Sequence, residues 1–245
     1  MLNSFLKPLF ADIKTFVLDT LFPITCVSCG KEKKYLCDEC SSTLINVNQY
    51  CIICQKPSPA GLTHPKCQAP HAADQLISIF DYHDEKISAL IIHGKYYFLP
   101  DVYRLLGLMV ADAVKKNFPH LNATTYALIA IPLHKWRLRW RGFNQAQVLC
   151  EEIGKELNLP TFDILMRKKT TRTQKDLKKE ERVKNMESAF AIRSTSPLAG
   201  EGGVRGNNFI LIDDVTTTGS TLNEAAKILK RNGASKVICL TVARD

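Results

Sequence analysis

The 245-residue sequence has no apolar run that reaches the roughly 20 residues needed to cross a bilayer. Its opening, MLNSFLKPLFADIKTFVLDTLFPITC, is apolar in pattern but interrupted by Lys7, Asp12, Lys14 and Asp19. It lacks the basic start and the small-residue cleavage site of a secretory signal. Residues 1–25 therefore read as an amphipathic helix that docks on its own protein, with a membrane-surface role as the alternative, and the chain as a cytoplasmic one without an integral membrane segment. With 45% hydrophobic and 23% charged residues, disorder, collagen and coiled coil are excluded as overall classes. Cysteine is nearly absent outside one stretch: seven of the nine lie between Cys26 and Cys67, and Cys150 and Cys239 fall in helix and strand patterns as core thiols.

Within that stretch the cysteines are paired. Cys26-Val-Ser-Cys29, Cys37-Asp-Glu-Cys40 and Cys51-Ile-Ile-Cys54 are followed by His64-Pro-Lys-Cys67. A two-residue gap lets both ligands of a tight knuckle approach one metal ion, and two knuckles complete a tetrahedral zinc shell. Four knuckles make two closed, structural sites. Sequential pairing gives Cys26, Cys29, Cys37 and Cys40 for one and Cys51, Cys54, His64 and Cys67 for the other; a cross-brace pairs the first knuckle with the third. The short connections make the sequential arrangement easier. His71 is a competing ligand outside the repeated spacing. Disulfides are the alternative use of such pairs, which a reducing compartment disfavours. The segment 26–74 is too poor in apolar residues to fold without metal.

The formal net charge of +9 is unevenly spread. Residues 134–193 carry 15 basic and 8 acidic side chains, whereas 76–133 carry five of each. A local excess of this kind suits an anionic partner: a phosphate, a diphosphate or a nucleic acid. A solvated helical face is the plainer explanation of any one of these charges.

Downstream of the zinc segment, hydrophobic periodicity predicts strands over Gln75–Tyr82, Thr125–Ile131, Phe162–Met166, Phe209–Ile212 and Lys236–Val242. It predicts helices over Asp84–His93, Asp101–Asn117, Phe143–Leu157 and Leu222–Asn232, the last closed by Gly233. Residues 167–185 read as a charged loop and helix, and Ser194–Asn208 as an exposed, Gly/Ser/Pro-rich loop. Strands alternating with helices indicate an α/β fold, a parallel sheet with helices on both faces, over residues 75–245.

The strongest chemical signal is FILIDDVTTTGST, residues 209–221, opening the helix at Leu222. A buried strand delivers Asp213 and Asp214 to its carboxyl edge, where α/β folds bind ligands. A hydroxyl-rich turn with a glycine then offers backbone amides and a helix N-terminus to a phosphate. Carboxylates beside a phosphate cradle suit ribose hydroxyls with a divalent ion nearby.

These residues resemble the binding loop of the type I phosphoribosyltransferases. By that resemblance Asp213 and Asp214 hold the ribose 2′- and 3′-hydroxyls of 5-phosphoribosyl 1-diphosphate, and Thr216, Thr217, Thr218, Gly219, Ser220 and Thr221 cradle its 5′-phosphate, with magnesium. More narrowly, IPLHK at 131–135, RWRGFNQ at 139–145, and Arg167 with Thr173-Gln174, Leu177, Arg182, Asn185 and Ala189-Phe190 resemble the ComF family. With the double zinc ribbon, that resemblance covers essentially the whole chain. It implies a phosphoribosyltransferase-like protein that supports bacterial competence or the use of DNA. A turn at Leu133, His134 and Lys135 is placed to offer amides to the diphosphate; in type I transferases this loop often contains a cis non-proline peptide. Lys135, Arg137, Arg139 and Arg141 supply neutralising charge. Lys95 and Tyr96 match a lysine–aromatic pair of the family to which no role is assigned.

Thr217 stands where purine-salvage enzymes carry an acidic general base, which disfavours that chemistry. Orotate-type enzymes use a flexible loop with lysine and aspartate instead, and Lys168, Lys169, Arg172, Lys175 and Asp176 supply such a segment. Nothing in the sequence marks a nucleobase pocket. Trp136, Trp140 and Phe143, interleaved with arginines, have the stacking-plus-charge character of a single-strand surface, although Phe143 also fits a core position. The leading reading is thus a ComF-type protein that handles single-stranded DNA and binds 5-phosphoribosyl 1-diphosphate. An active phosphoribosyltransferase is one alternative. A zinc-ribbon scaffold for a DNA-processing helicase or uptake protein is the other.

Overall fold

The structure is a computed structural model and describes residues 24–122, 125–167, 189–193 and 204–245. The expected N-terminal helix, most of the 167–185 segment and most of the 194–208 loop lie outside the described residues.

In chain order the strands are β1 (Gln75–Asp81), β2 (Tyr126–Ala130), β3 (Leu165–Arg167), β4 (Phe190–Ile192), β5 (Asn208–Thr216) and β6 (Lys236–Arg244). The helices are α1 (Asp38–Ser41), α2 (Glu85–Tyr96), α3 (Pro100–Asn117), α4 (Lys135–Arg141), α5 (Gln145–Leu157) and α6 (Ser220–Arg231). Four strands form a parallel sheet in the order β1-β6-β5-β2, and β3 pairs antiparallel with β4. The parallel strands are the ones whose apolar runs are continuous rather than alternating: β2 is buried at every position, and β6 at all but its two ends. Burial on both faces demands this. Each core side chain such as Ile210 or Leu211 contributes about 1.5–3 kcal/mol on burial. Helix α5 packs on β2 and β5 and against α3, while α6 packs on β5 and β6. Right-handed crossovers place α3 and α5 on one face and α6 on the other.

Neither edge of the sheet is left bare. Beside β1, Val47 N–H donates to the Ile79 carbonyl (3.2 Å) and Asp81 N–H to that of Ile45 (3.0 Å). The Gln49 side chain there donates to the Ser78 carbonyl and accepts from the Ser78 amide. Beyond β2, the Pro160–Phe162 segment exchanges backbone bonds with Leu128. Covering an edge in this way removes the unpaired amides that would otherwise recruit another chain. It also makes the zinc segment part of the sheet's architecture.

Several elements differ from their predicted extents. Helix α2 runs through Tyr96 instead of stopping at His93, so Lys95 belongs to its last turn. Strand β5 continues through Thr216, so both aspartates lie on the strand itself. Residues 135–141, expected as part of a turn and a charged stretch, form the separate helix α4, capped by the His134 ring accepting from Trp136 N–H (3.3 Å) and closed by Gly142 at φ +76°. The peptide bonds of the described residues are all trans, including those of the Leu133–Lys135 turn.

Candidate ligand site at the carboxyl edge of the sheet

Register sets the site. Ala130 pairs with Ile212, so β2 ends where β5 presents Asp213 and Asp214, and the Leu133–Lys135 turn leaves the sheet beside them. Successive strand residues face opposite sides. Asp214 turns toward α2 and α3, where Lys95 Nζ lies 2.8 Å from its Oδ2 and the Tyr103 hydroxyl lies 3.5 Å from the same oxygen. Burial, and then the charge of Asp214, keep the Tyr103 hydroxyl protonated as a donor. Burial and the neighbouring Asp214 carboxylate push Asp213 up to about 8, against the opposing pull of the Asp214 amide and Lys95. Two carboxyls crowded into one desolvated edge gain from any hydroxyl donor or cation that enters.

The loop after β5 is open to solvent on one side. Thr216 is buried at the strand end, whereas Thr217, Thr218, Ser220 and Thr221 are exposed. Gly219 caps α6 at φ +71°, a left-handed conformation, and an added Cβ would fall 2.6 Å from Cγ1 of Ile52. The 12-residue α6 starts with the exposed Thr217, Thr218, Ser220 and Thr221 on one side, where the Thr218 hydroxyl donates to that of Ser220 (3.1 Å) and accepts from the Ser220 amide (3.4 Å), and with the zinc segment against the other.

On the β2 side, the turn after β2 and α4 carry the residues expected at the diphosphate. Leu133 is half-buried, and His134, Lys135 and Arg139 are exposed. Arg141 faces the buried Gln145 side-chain amide. Its charge reaches Tyr103, and that of Arg137 reaches Arg167, which Asp213 in turn favours as a cation. The cleft of about 420 Å³ on the other side of the turn, lined by Leu133, Leu138, Phe143, Asn144 and Asp163 among others, includes neither aspartate nor any loop threonine.

Trp136 and Trp140, four residues apart, share one face of α4 with rings nearly parallel (6°) at 6.5 Å. They are 66% and 46% exposed. Phe98 and Tyr96 stand edge-on to Trp140 at 5.3 and 6.1 Å, and the Arg141 guanidinium lies 5.7 Å from its ring centre. Phe98 reaches this position through a backbone at φ +58°, which a bulky side chain seldom adopts. Phe143, by contrast, is half-buried and packs edge-on against Tyr103 at 5.9 Å.

The sulfur ligands gather into two sets. The ligand atoms of Cys26, Cys29, Cys37 and Cys40 lie within 4.8 Å of one another, and so do those of Cys51, Cys54, His64 and Cys67. Knuckles therefore pair sequentially, and His71 belongs to neither set. Cys29 and Cys37 sulfurs are 3.6 Å apart and Cys54 Sγ lies 3.3 Å from His64 Nδ1. A tetrahedron with metal–sulfur bonds of about 2.3 Å has edges of about 3.8 Å, so these donors fit zinc. Burial disfavours the Cys26 and Cys51 thiolates, but backbone amides aimed at them prevail and hold them down at about 6 and about 7. Cys40 has Ser28 favouring its thiolate, yet the crowd of neighbouring sulfurs pushes it up to about 12. Burial and the sulfurs of Cys54 and Cys51 push Cys67 up to about 11. A divalent cation relieves that crowding. Cys150 and Cys239 are buried core thiols.

Comparison with known proteins decides the family. The chain is 31% identical over 231 residues to Competence protein F of Haemophilus influenzae, covering 89% of this chain and 90% of that one. The chain belongs to the ComF family. The DNA utilization protein YhgH of Escherichia coli K12 is 30% identical over 82% of this chain and 87% of its own length. Competence protein ComFC of Bacillus subtilis is 29% identical over 88% and 86%. Residues 144–245 match the phosphoribosyl transferase domain and residues 17–68 the double zinc ribbon domain.

In this ComF chain Asp213, Asp214 and Thr216–Thr221 lie at the carboxyl end of β5 and the loop after it, next to the end of β2 from which the turn of Leu133, His134 and Lys135 leaves; Arg139 and Arg141 lie on α4, which follows that turn. Lys168, Lys169, Arg172 and Lys175 lie outside the described residues. The ion pair of Lys95 with Asp214 spans 119 positions, and no local pattern reports it. Tyr103 and the Phe98 ring were not anticipated. An aromatic run, Tyr96-Tyr97-Phe98, before a helix-opening proline was the available signal.

Proposed function

We propose that this ComF-family chain handles single-stranded DNA in the cytoplasm and binds 5-phosphoribosyl 1-diphosphate at its phosphoribosyltransferase-type site. The observation that carries the DNA reading is the exposed Trp136–Trp140 pair on a helix whose other residues are Lys135, Arg137, Leu138, Arg139 and Arg141. Unpaired bases stack on such rings, and the cations track the phosphates. Tyr96 and Phe98 extend the platform across the end of α2.

At the adjoining edge, Asp213 and Asp214 accept from the ribose hydroxyls, and the amides and hydroxyls of residues 217–221 hold the 5′-phosphate. Lys135, Arg139 and Arg141 face the diphosphate, with magnesium brought by its oxygens. Lys95, 2.8 Å from Asp214 Oδ2, orients that carboxylate. Each sulfur-rich set holds one structural zinc, with Cys26, Cys29, Cys37 and Cys40 around the first and Cys51, Cys54, His64 and Cys67 around the second. The names of the relatives support the DNA role, since those proteins are called competence and DNA utilization proteins.

The test is fluorescence anisotropy of a labelled single-stranded oligonucleotide titrated with zinc-loaded protein over a salt series. Binding at physiological ionic strength whose logarithm falls linearly with the logarithm of salt is the expected result, and its slope counts the phosphates engaged. No binding under those conditions would refute the DNA reading and leave the basic residues to the diphosphate.

A further inference from the structure

The Cys51–Cys54 knuckle does more than help close its own metal site. Gln55, one residue past Cys54, holds the left-handed conformation at φ +59° and donates from Nε2 to the carbonyls of Ile52 (2.7 Å) and Thr218 (2.9 Å). Its Oε1 accepts from Arg244 Nη2 (2.6 Å), and that guanidinium lies 4.2 Å from the Tyr50 ring centre. Ile52, between Cys51 and Cys54, is buried with its side chain in the space that a side chain at position 219 would need. The backbone amide of Ala73 donates to Asn223 Oδ1 on the first turns of α6 (3.1 Å). Residues 163 positions apart are thus bonded at the back of the loop whose front presents Thr217, Thr218, Ser220 and Thr221 to solvent.

We infer that the Cys51–Gln55 knuckle is the positioning element of the phosphate loop, so that zinc in the Cys51, Cys54, His64 and Cys67 set fixes the loop in its anion-binding shape. The reasoning is mechanical. Binding of a phosphate by backbone amides depends on their being held in place before the ligand arrives, because ordering a loop costs affinity. A hydroxyl- and glycine-containing turn has little rigidity of its own. Here the Thr218 carbonyl is pinned by Gln55, and Gly219 is backed by Ile52. The knuckle that carries both residues is itself shaped by two metal ligands three positions apart. Gln55 and Ile52 touch no ligand; they act through Thr218 and Gly219. This inference rests on the reading of residues 216–221 as a phosphate cradle.

Two measurements on the full zinc-loaded chain separate the two ideas: hydrogen–deuterium exchange over residues 216–221, and calorimetric titration with 5-phosphoribosyl 1-diphosphate and magnesium. Gln55→Ala is expected to retain both zinc ions, to speed amide exchange in the loop, and to weaken binding about tenfold, the effect of losing roughly one well-placed hydrogen bond. Ile52→Val, which thins the contact with Gly219 and leaves the zinc ligands untouched, is expected to act in the same direction by about twofold and serves if Gln55→Ala melts. Unchanged exchange in both folded variants would overturn the brace, whatever the ligand does. Faster exchange without weaker binding would overturn its role in affinity. A wild-type chain that binds no 5-phosphoribosyl 1-diphosphate would overturn the phosphate-cradle reading itself, leaving the exchange rates to judge the contact alone.

Discussion

Asp213 shows what the site demands of the fold. Its carboxyl titrates near 8 in the folded chain, through burial and the nearness of Asp214, against about 3.9 when unfolded. Below both values the group is neutral in either state. Between them the unfolded chain releases its proton first, so the folded state binds more protons and stability falls as pH rises from about 4 to about 8. Asp213→Asn removes this penalty. Denaturant unfolding should show the variant gaining about 1–3 kcal/mol over wild type at pH 8, and less at pH 5. A variant that is less stable than wild type at pH 8 would contradict the burial argument. The acid pair and the threonine loop were legible in the sequence because residues 209–221 are contiguous. The partners that tune them were not, since Lys95, Tyr103 and Arg167 arrive from distant positions and meet the aspartates only after the sheet has formed.

Elements followed the same division between local and distant causes. The four central strands were readable from uninterrupted apolar runs, and the zinc knuckles from ligand spacing, down to the easier sequential pairing. Helix α4 was not, because KWRLRWR buries no residue and has no apolar stripe to signal a helix; its boundaries come from the His134 cap and Gly142. The strand predicted over Phe162–Met166 appears as β3, shifted to Leu165–Arg167, whereas its three-residue partner β4 carries no signal of its own. The zinc segment also proved more than an appendage, since Ile45–Val47 and Gln49 complete the β1 edge. Chelation should therefore loosen β1 as well as the ribbons. Limited proteolysis after treatment with a zinc chelator is expected to cut within residues 26–74 and to lower the unfolding temperature of the remaining sheet. A chain that keeps its protease resistance and its melting temperature without zinc would show that the ribbons fold without the metal.

At the scale of the whole molecule, the excess positive charge of residues 134–193 is not diffuse. Its described helical part, α4, carries the exposed Trp136–Trp140 face on which Tyr96 and Phe98 abut. Under the proposed function this one helix serves two anionic ligands, a diphosphate and a polynucleotide. Charge alone does not distinguish these uses, and aromatic stacking does. The most direct measurement is the anisotropy titration of single-stranded DNA with wild-type protein and with the Trp136→Ala/Trp140→Ala double variant, both zinc-loaded, at several salt concentrations. Stacking is worth about 1–3 kcal/mol per base, so the variant should bind about ten- to a hundredfold more weakly. Its salt dependence should be unchanged, because no cation is removed. Equal affinity of the two proteins would contradict the placement of DNA on α4.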